Sequence, residues 1–309
     1  MENSLVEFVR KAHSIVQKYV DRYTSKYSKK TYTQPQLVVL NLLKVREDWT
    51  YRDVEEKLET MDTLQDELGL SEVPDHSTLQ KVWERYGCLT WRSFLKETSK
   101  LIPSSQKMAV DATGFQRRWA SRYYTQRTKM SLSALKVTIR ADVGDPLVIR
   151  DVHMTTTRKH DSQILPELIP EDESGSFLAA DKGYDHYDLR DWCRRQGIRP
   201  LIKHREFGPQ DIAANARMKD DDYNHRQKVE SIFSSVKRRY GDEATSRIWY
   251  RQFRDILAKM VAYNLDQIVQ YICCFYEFFS WNPSVQKNDF LEDFDRAKYR
   301  SKDDFNIVS

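Results

Sequence analysis

The spacing of apolar residues first departs from a helical period at Pro103-Ser104-Ser105, and that change constrains the fold more than any other feature. Before it, Leu5, Val6, Val9, Ala12, Val16 and Val20 recur at helical spacing. After it, Leu135, Val137, Ile139, Ala141 and Val143 alternate strictly with Lys136, Thr138, Arg140 and Asp142, the pattern of a half-buried strand. One sequence with two periods predicts a helical unit over residues 1–102 and a second unit of strands and helices over 103–282. A polar tail at 283–309 reads as weakly ordered.

Within the first unit, helices are predicted near Pro35, after Thr50 (Thr50-Tyr51-Arg52-Asp53) and from a capping box at Ser77-Thr78-Leu79-Gln80, running on through Val82, Trp83 and Tyr86. Trp91 and Phe94 read as bundle core. Short helices with tight polar turns suggest a helix-turn-helix-like bundle; a plain bundle or a dimerisation unit has the same pattern. In the second unit, Met108-Ala109-Val110 is a short apolar run ending on Asp111. Leu135–Val143 pairs as a hairpin with 147–154 across Gly144-Asp145-Pro146, and a helix is expected over 161–168. Phe177-Leu178-Ala179-Ala180 ends on Asp181, a helix over 185–196 leads to a strand at 198–202, and residues beyond 249 are helical. The order β-β-β-α-β-α-β-α predicts α/β with a mixed sheet flanked by helices.

Composition excludes several classes. Lys and Arg total 50 against 46 Asp and Glu, and a net charge of +4 does not by itself argue for nucleic acid. No phosphate-cradling glycine motif is present, so no nucleotide cofactor is expected. Cys88, Cys193, Cys273 and Cys274 form no C-x-x-C, and no H-E-x-x-H occurs, which argues against disulfides and structural zinc. The first thirty residues hold no uninterrupted apolar run, so no secretory signal is expected. The apolar stretch 261–279 carries Asn264, Asp266 and Gln267 and makes a poor membrane span. A cytoplasmic, soluble protein is the expectation.

Asp111 and Asp181 each close an apolar strand, at the edge where open α/β sheets bind ligands. A strand-end Asp is also an ordinary turn former or cap. Residues 222–237 contain no Gly or Pro and read as one helix, stopped by Gly241. At 100° per residue, Tyr223, Arg226, Glu230 and Lys237 fall within about 60° of one another. Val229, Ile232, Phe233, Val236 and Tyr240 fill the adjoining sector. An amphipathic helix with surface ion pairs accounts for that face alone; with the two aspartates it fits phosphoryl transfer. Clustered carboxylates bind hard divalent cations, while Arg and Lys grip flanking phosphates.

The stretch 112–129 adds Arg117, Arg118, Arg122, Arg127 and Lys129 among Phe115, Trp119, Tyr123 and Tyr124, a composition suited to tracking DNA or to a solvated basic loop. Lys182, Lys203, His204, Arg205 and the pair His160-Asp161 are further candidates near the cleft, with charged-loop and capping roles as their alternatives. Asp185 reads as the start of the next helix, and Arg52, Thr78 and Lys81 as weaker DNA candidates.

Asp111, Asp181 and Glu230 together resemble the DDE triad of insertion-sequence transposases with a ribonuclease-H-like core. Tyr223, Arg226, Glu230 and Lys237 match the family's Y-(2)-R-(3)-E-(6)-K signature, and Asp181-Lys182-Gly183-Tyr184-Asp185 resembles its D-K-G-Y-D block. The segment from Thr50 to Tyr86 is similar to the family's helical DNA-binding region. The resemblance implies a ribonuclease-H-like mixed sheet, preceded by an all-α DNA-binding or dimerisation bundle. It implies that the three carboxylates hold two Mg²⁺ (or Mn²⁺) and that Tyr223, Arg226 and Lys237 grip phosphates near the cleaved end. The implied reaction is hydrolytic nicking at terminal inverted repeats and strand transfer into target DNA. The implied partners are double-stranded DNA and a second copy of the chain in a homodimer, at the nucleoid. The alternatives are a nuclease that does not join, and an inactive or domesticated transposase-derived DNA-binding protein.

Overall fold

The computed structural model describes residues 2–119, 134–156, 159–170, 177–218 and 223–281. The regular elements before Pro103 are all helices: α1 (Glu2–Val16), α2 (Gln34–Arg46), α3 (Tyr51–Leu58), α4 (Asp62–Leu68), α5 (His76–Gln80), α6 (Val82–Arg85) and α7 (Cys88–Lys100). Reciprocal capping boxes open two of these. The Thr33 hydroxyl accepts from Gln36 N while Gln36 Oε1 accepts from Thr33 N, and Thr50 and Asp53 repeat the pattern. The capping box expected at Ser77 is corrected. Asp75 caps α5 by accepting from Ser77 N at 2.7 Å, so Ser77 lies inside the first turn as a backbone donor. Trp91 and Phe94 are fully buried as expected, with Trp83 stacked on Trp91 at 4.8 Å.

After Pro103 follow β1 (Lys107–Arg117), β2 (Leu135–Asp142), β3 (Val148–Thr155), α8 (Asp161–Ile164), β4 (Phe177–Ala180), α9 (Tyr187–Arg195), β5 (Arg199–Ile202), α10 (Pro209–Ala216), α11 (Gln227–Tyr240), β6 (Glu243–Ala244) and the long α12 (Trp249–Trp281). The sheet runs β3-β2-β1-β4-β5, with β6 paired to the far end of β1. β2 is antiparallel to β1 and β3, whereas β4 and β5 continue parallel to β1. This is the expected mixed sheet of a ribonuclease-H-like core with helices on both faces.

Strand alternation sorts β1 between the two faces. Met108 and Val110 join Leu178, Ala180, Leu189 and Ile202 in one core. Ala109 and Phe115 face the other way, in a continuous core with Val229, Ile232 and Val236 of α11, the inner face of α12 and the helical bundle. Asp111 and Thr113 share the parity of Ala109 and Phe115, so they face α11.

The polar residues within α12 explain why it is a core helix. Asn264 is fully buried; its Oδ1 accepts from Ile149 N, and its Nδ2 donates to Ile149 O and to Thr98 Oγ1. Asp266 accepts from Arg46 of α2 and from Tyr240 of α11. Among the described residues no helix is long and apolar enough to cross a membrane. The tail at 282–309 lies outside the described residues.

Candidate active site at the end of strand β4

Parallel pairing of β1 and β4 sets Val110 opposite Ala180. The residue that follows each of these is an aspartate, so Asp111 and Asp181 come next to each other at the end of β4. Their settings differ. β4 stops at Ala180 and Asp181 begins a short 3-10 turn over Lys182–Tyr184, which leaves Asp181 exposed. Asp111 was expected at a strand end; instead β1 continues to Arg117, because β2 pairs with it over Met108–Phe115. Asp111 therefore lies mid-strand, at the point where its other neighbour has ended. Its Oδ1 accepts from Ala112 N at 2.8 Å.

The helix predicted over 222–237 is also corrected. Asp222 lies outside the described residues, Tyr223 and Asn224 are helical, His225 and Arg226 form a turn, and α11 begins at Gln227. Arg226 keeps αR backbone angles, so the break barely alters the face. Arg226 Nη1 donates to Glu230 Oε1 at 2.6 Å. Two turns further on, Lys237 Nζ donates to Thr113 Oγ1 at 2.7 Å and lies 5.2 Å from the centre of the Phe115 ring. Gly241 ends the helix at positive φ, as expected.

The carboxylates feel one another. Burial pushes the Asp111 carboxyl above its ordinary range; Ala112 N–H and Arg226 oppose this, and the charges of Glu230 and Asp181 add to it. Burial also raises the Tyr223 hydroxyl, opposed by Arg226 and reinforced by Asp181. Arg226 is held above its ordinary value against the pull of burial by Glu230, Tyr223 and Asp181. Asp111, Asp181, Tyr223, Arg226 and Glu230 thus form one electrostatic cluster, with Lys237 along the same helix. The three acidic oxygens are not all within 4.8 Å of one another; among the described residues the group that meets that spacing is Glu55, Asp75 and His76. That group already has a structural role, since Asp75 caps α5 and His76 Nδ1 lies 2.9 Å from Glu55 Oε2.

Arg117 and Arg118 are anchored away from this cluster. Arg117 Nε donates to Gln252 Oε1 and Arg118 pairs with Glu243, which together fix the far end of β1 to α12 and β6. Arg122, Tyr123, Tyr124, Arg127 and Lys129 lie outside the described residues. Sequence reasoning missed Thr113 as the partner of Lys237. The signal was present, because Thr113 is two residues beyond Asp111 on an alternating strand. Asp185 does not start a helix; His186 occupies the N-cap position of α9 and the Asp185 carboxylate is bound elsewhere.

The ribonuclease-H-like sheet thus brings Asp111 of β1, Asp181 just past the end of the neighbouring parallel strand β4, and Glu230 of α11 into one electrostatic cluster. Residues 102–265 match the family model described as transposase DDE domain, more than half of the chain, and the chain belongs to that family. A comparison with curated proteins finds no match. The family assignment makes the chain a transposase acting on DNA, in a family that generally uses divalent metals.

Proposed function

We propose that the chain cleaves DNA at the terminal inverted repeats of its element and joins the released 3′-hydroxyl end to target DNA, with Asp111, Asp181 and Glu230 as metal-binding catalytic residues. The observation that carries this reading is the β1–β4 register, which sets the two aspartates side by side opposite the helix bearing Glu230. The donor set suits Mg²⁺ or Mn²⁺: three carboxylates, all oxygen, one half-buried and destabilised by its acidic neighbours. Two bound divalent ions would activate an attacking oxygen and stabilise the leaving one.

The chain's own residues do the rest. Arg226 and Tyr223 offer a guanidinium and a hydroxyl to a phosphate oxygen beside Asp181. Lys237, held by Thr113, offers a point charge farther along α11, about 10 Å from Glu230 at 1.5 Å rise per residue. A strand lying along α11 would meet the carboxylates and then Lys237. Tyr223 is a phosphate ligand in this reading and not a nucleophile, because water and then a DNA 3′-hydroxyl attack. Two element ends must be cut and joined together, which calls for a homodimer on DNA.

The test uses a duplex carrying the terminal sequences that flank the coding sequence in its element. Asp181→Asn or Glu230→Gln is expected to abolish Mg²⁺-dependent cleavage while leaving binding of the duplex intact. Cleavage retained by either variant would refute the metal role. A pre-cut duplex with a free 3′-hydroxyl tests joining separately from cutting.

A further inference from the structure

The D-K-G-Y-D block ends on an aspartate that the reading above does not use. Asp185 is mostly buried, and its carboxylate collects three neighbours. Oδ1 accepts from Arg190 Nε at 2.9 Å, Oδ2 accepts from Arg205 N at 2.8 Å, and His204 Nδ1 lies 3.5 Å from Oδ1. Arg190 is itself buried and donates from Nη2 to Ile202 O, the last residue of β5. Arg205 Nε reaches back to Lys182 O at 3.3 Å. One carboxylate therefore ties the turn after β5 to the turn after β4. Asn215 braces the same segment from α10, accepting from His204 N at 2.7 Å and donating to His204 O at 3.0 Å. A segment bonded on two sides is a fixed ledge; the free charged loop weighed from sequence alone is not what forms.

The ledge carries cations toward the catalytic cluster. Lys203 Nζ sits 4.5 Å from the centre of the Tyr223 ring. Lys182, next to Asp181, pairs with Glu206 at 2.9 Å and lies within electrostatic reach of both Tyr223 and Asp181. Arg226, three residues on along the chain, also lies within electrostatic reach of the Tyr223 hydroxyl. Three cations thus act on one tyrosine near Asp181, Lys203 by contact with its ring, while Lys237 is bonded to Thr113 of β1. Lysine and arginine side chains gathered beside a tyrosine supply the charges and donors that bind a phosphate.

We propose that Asp185 is a positioning residue that holds the Lys203–Arg205 ledge against the Asp181 turn, so that Lys203 and Lys182 join Arg226 and Tyr223 in gripping a DNA phosphate on the β4–β5 side of the scissile bond. Lys203 touches the DNA backbone; Asp185 acts through it. This rests on the catalytic reading above.

The experiment measures affinity for the same terminal duplex as a function of salt, in Ca²⁺ so that nothing is cut. Each lost phosphate contact reduces the slope of log affinity against log salt by about 0.9, about 3.5-fold less weakening between 50 and 200 mM. Lys203→Gln is expected to reduce the slope by that amount. Asp185→Asn is expected to do the same when measured well below its melting temperature, which loss of the partner of buried Arg190 lowers, and the double variant no more than either alone. Asp185→Glu, which keeps an acceptor for Arg190, is expected to recover part of the slope. An unchanged slope in Lys203→Gln, or additive losses in the double variant, overturns the proposal. If Asp185→Asn fails to fold, Lys203→Gln and Lys182→Gln still decide through their slopes. Should the wild-type chain not cleave the duplex in Mg²⁺, the catalytic reading fails; an unchanged slope with wild-type cleavage intact fails the ledge alone.

Discussion

Replacing Asp266 by Ala should destabilise the protein more than any exposed ion-pair change. Asp266 lies on α12, is 3% exposed, and collects three donors: Arg46 Nε at 2.7 Å, Tyr240 OH at 2.5 Å and Arg239 Nη2 at 3.1 Å. These come from the helical bundle and from the C-terminal end of α11, whose N-terminal turn carries Glu230. Breaking a buried pair by removing one partner costs about 3–5 kcal/mol, because a charge is left behind without compensation. Arg46 keeps bonds to Glu47 and Ser4, and Arg239 is partly solvated, so the lower end applies, about 3 kcal/mol. Tyr240→Phe removes one donor to a charged acceptor and leaves both arginines in place, for about 1.5 kcal/mol. Glu67→Ala, which breaks the more exposed pair with Arg10, should cost less than about 1 kcal/mol. Urea denaturation with m-values compared across the three variants gives the ranking. The reasoning is refuted if Asp266→Ala lies within about 1 kcal/mol of wild type, or if Tyr240→Phe costs as much as Asp266→Ala.

Lys237→Ala should weaken binding of a duplex with a cleaved end while leaving the divalent-cation thermal shift unchanged; equal end affinity in a binding titration counts against its phosphate role. Stability should also depend on pH through Lys259, whose ammonium is pulled down to about 8 by burial, although Asp255 opposes the shift. The unfolded lysine titrates near 10.5, so between pH 8 and 10.5 the unfolded state binds more protons. Stability attributable to this group therefore rises with pH through that window, by up to about 1.4 kcal/mol per pH unit. Denaturation of Lys259→Met across pH 7–10 should show that slope lost, and an unchanged slope would assign it elsewhere.

Much of this fold is legible in the sequence because its determinants are local. The period change at Pro103, the strict alternation of Leu135–Val143 and the helix start at Thr50-Tyr51-Arg52-Asp53 each operate within a few residues. The departures have non-local causes. Apolar residues stop at Val110 because Asp111 faces the cleft, yet β1 runs on to Arg117 because β2, distant in sequence, continues to pair with it. Ser77 satisfies the capping pattern, but Asp75 is a stronger acceptor two residues earlier and captures the role. Asp185 looks like a helix start until β5 brings Arg205 and the Arg190–Ile202 contact beside it. At the site, residue types and spacing were readable, whereas the partners of each side chain were not. Those partners are set by the sheet order β1-β4-β5, which no local pattern encodes.

The pairing of Glu230 with Arg226 bears on how such a site is held ready. The two are one helical turn apart at 2.6 Å, with the Glu230 side chain 53% exposed and the Arg226 side chain 22% exposed. In the proposed chemistry each has another partner: the carboxylate a cation, the guanidinium a phosphate. Their mutual bond therefore competes with both ligands. An exposed pair of this kind is worth about 0.3–1 kcal/mol, small enough for either ligand to displace. Arg226→Gln should accordingly have effects of opposite sign on the two ligands. Removing the guanidinium frees Glu230 and takes a positive charge from beside Asp111 and Asp181, so Mn²⁺ affinity should rise about two- to fivefold. Removing it also deletes a phosphate contact, so affinity for the terminal duplex should fall and its salt slope flatten. Lys237→Ala lacks the first effect, because Lys237 is bonded to Thr113 and makes no bond to a carboxylate of the triad. Isothermal titration with Mn²⁺ in the absence of DNA separates the cases. If Arg226→Gln weakens Mn²⁺ binding, the guanidinium is a brace for Glu230, and the idea that it competes with the cation is wrong.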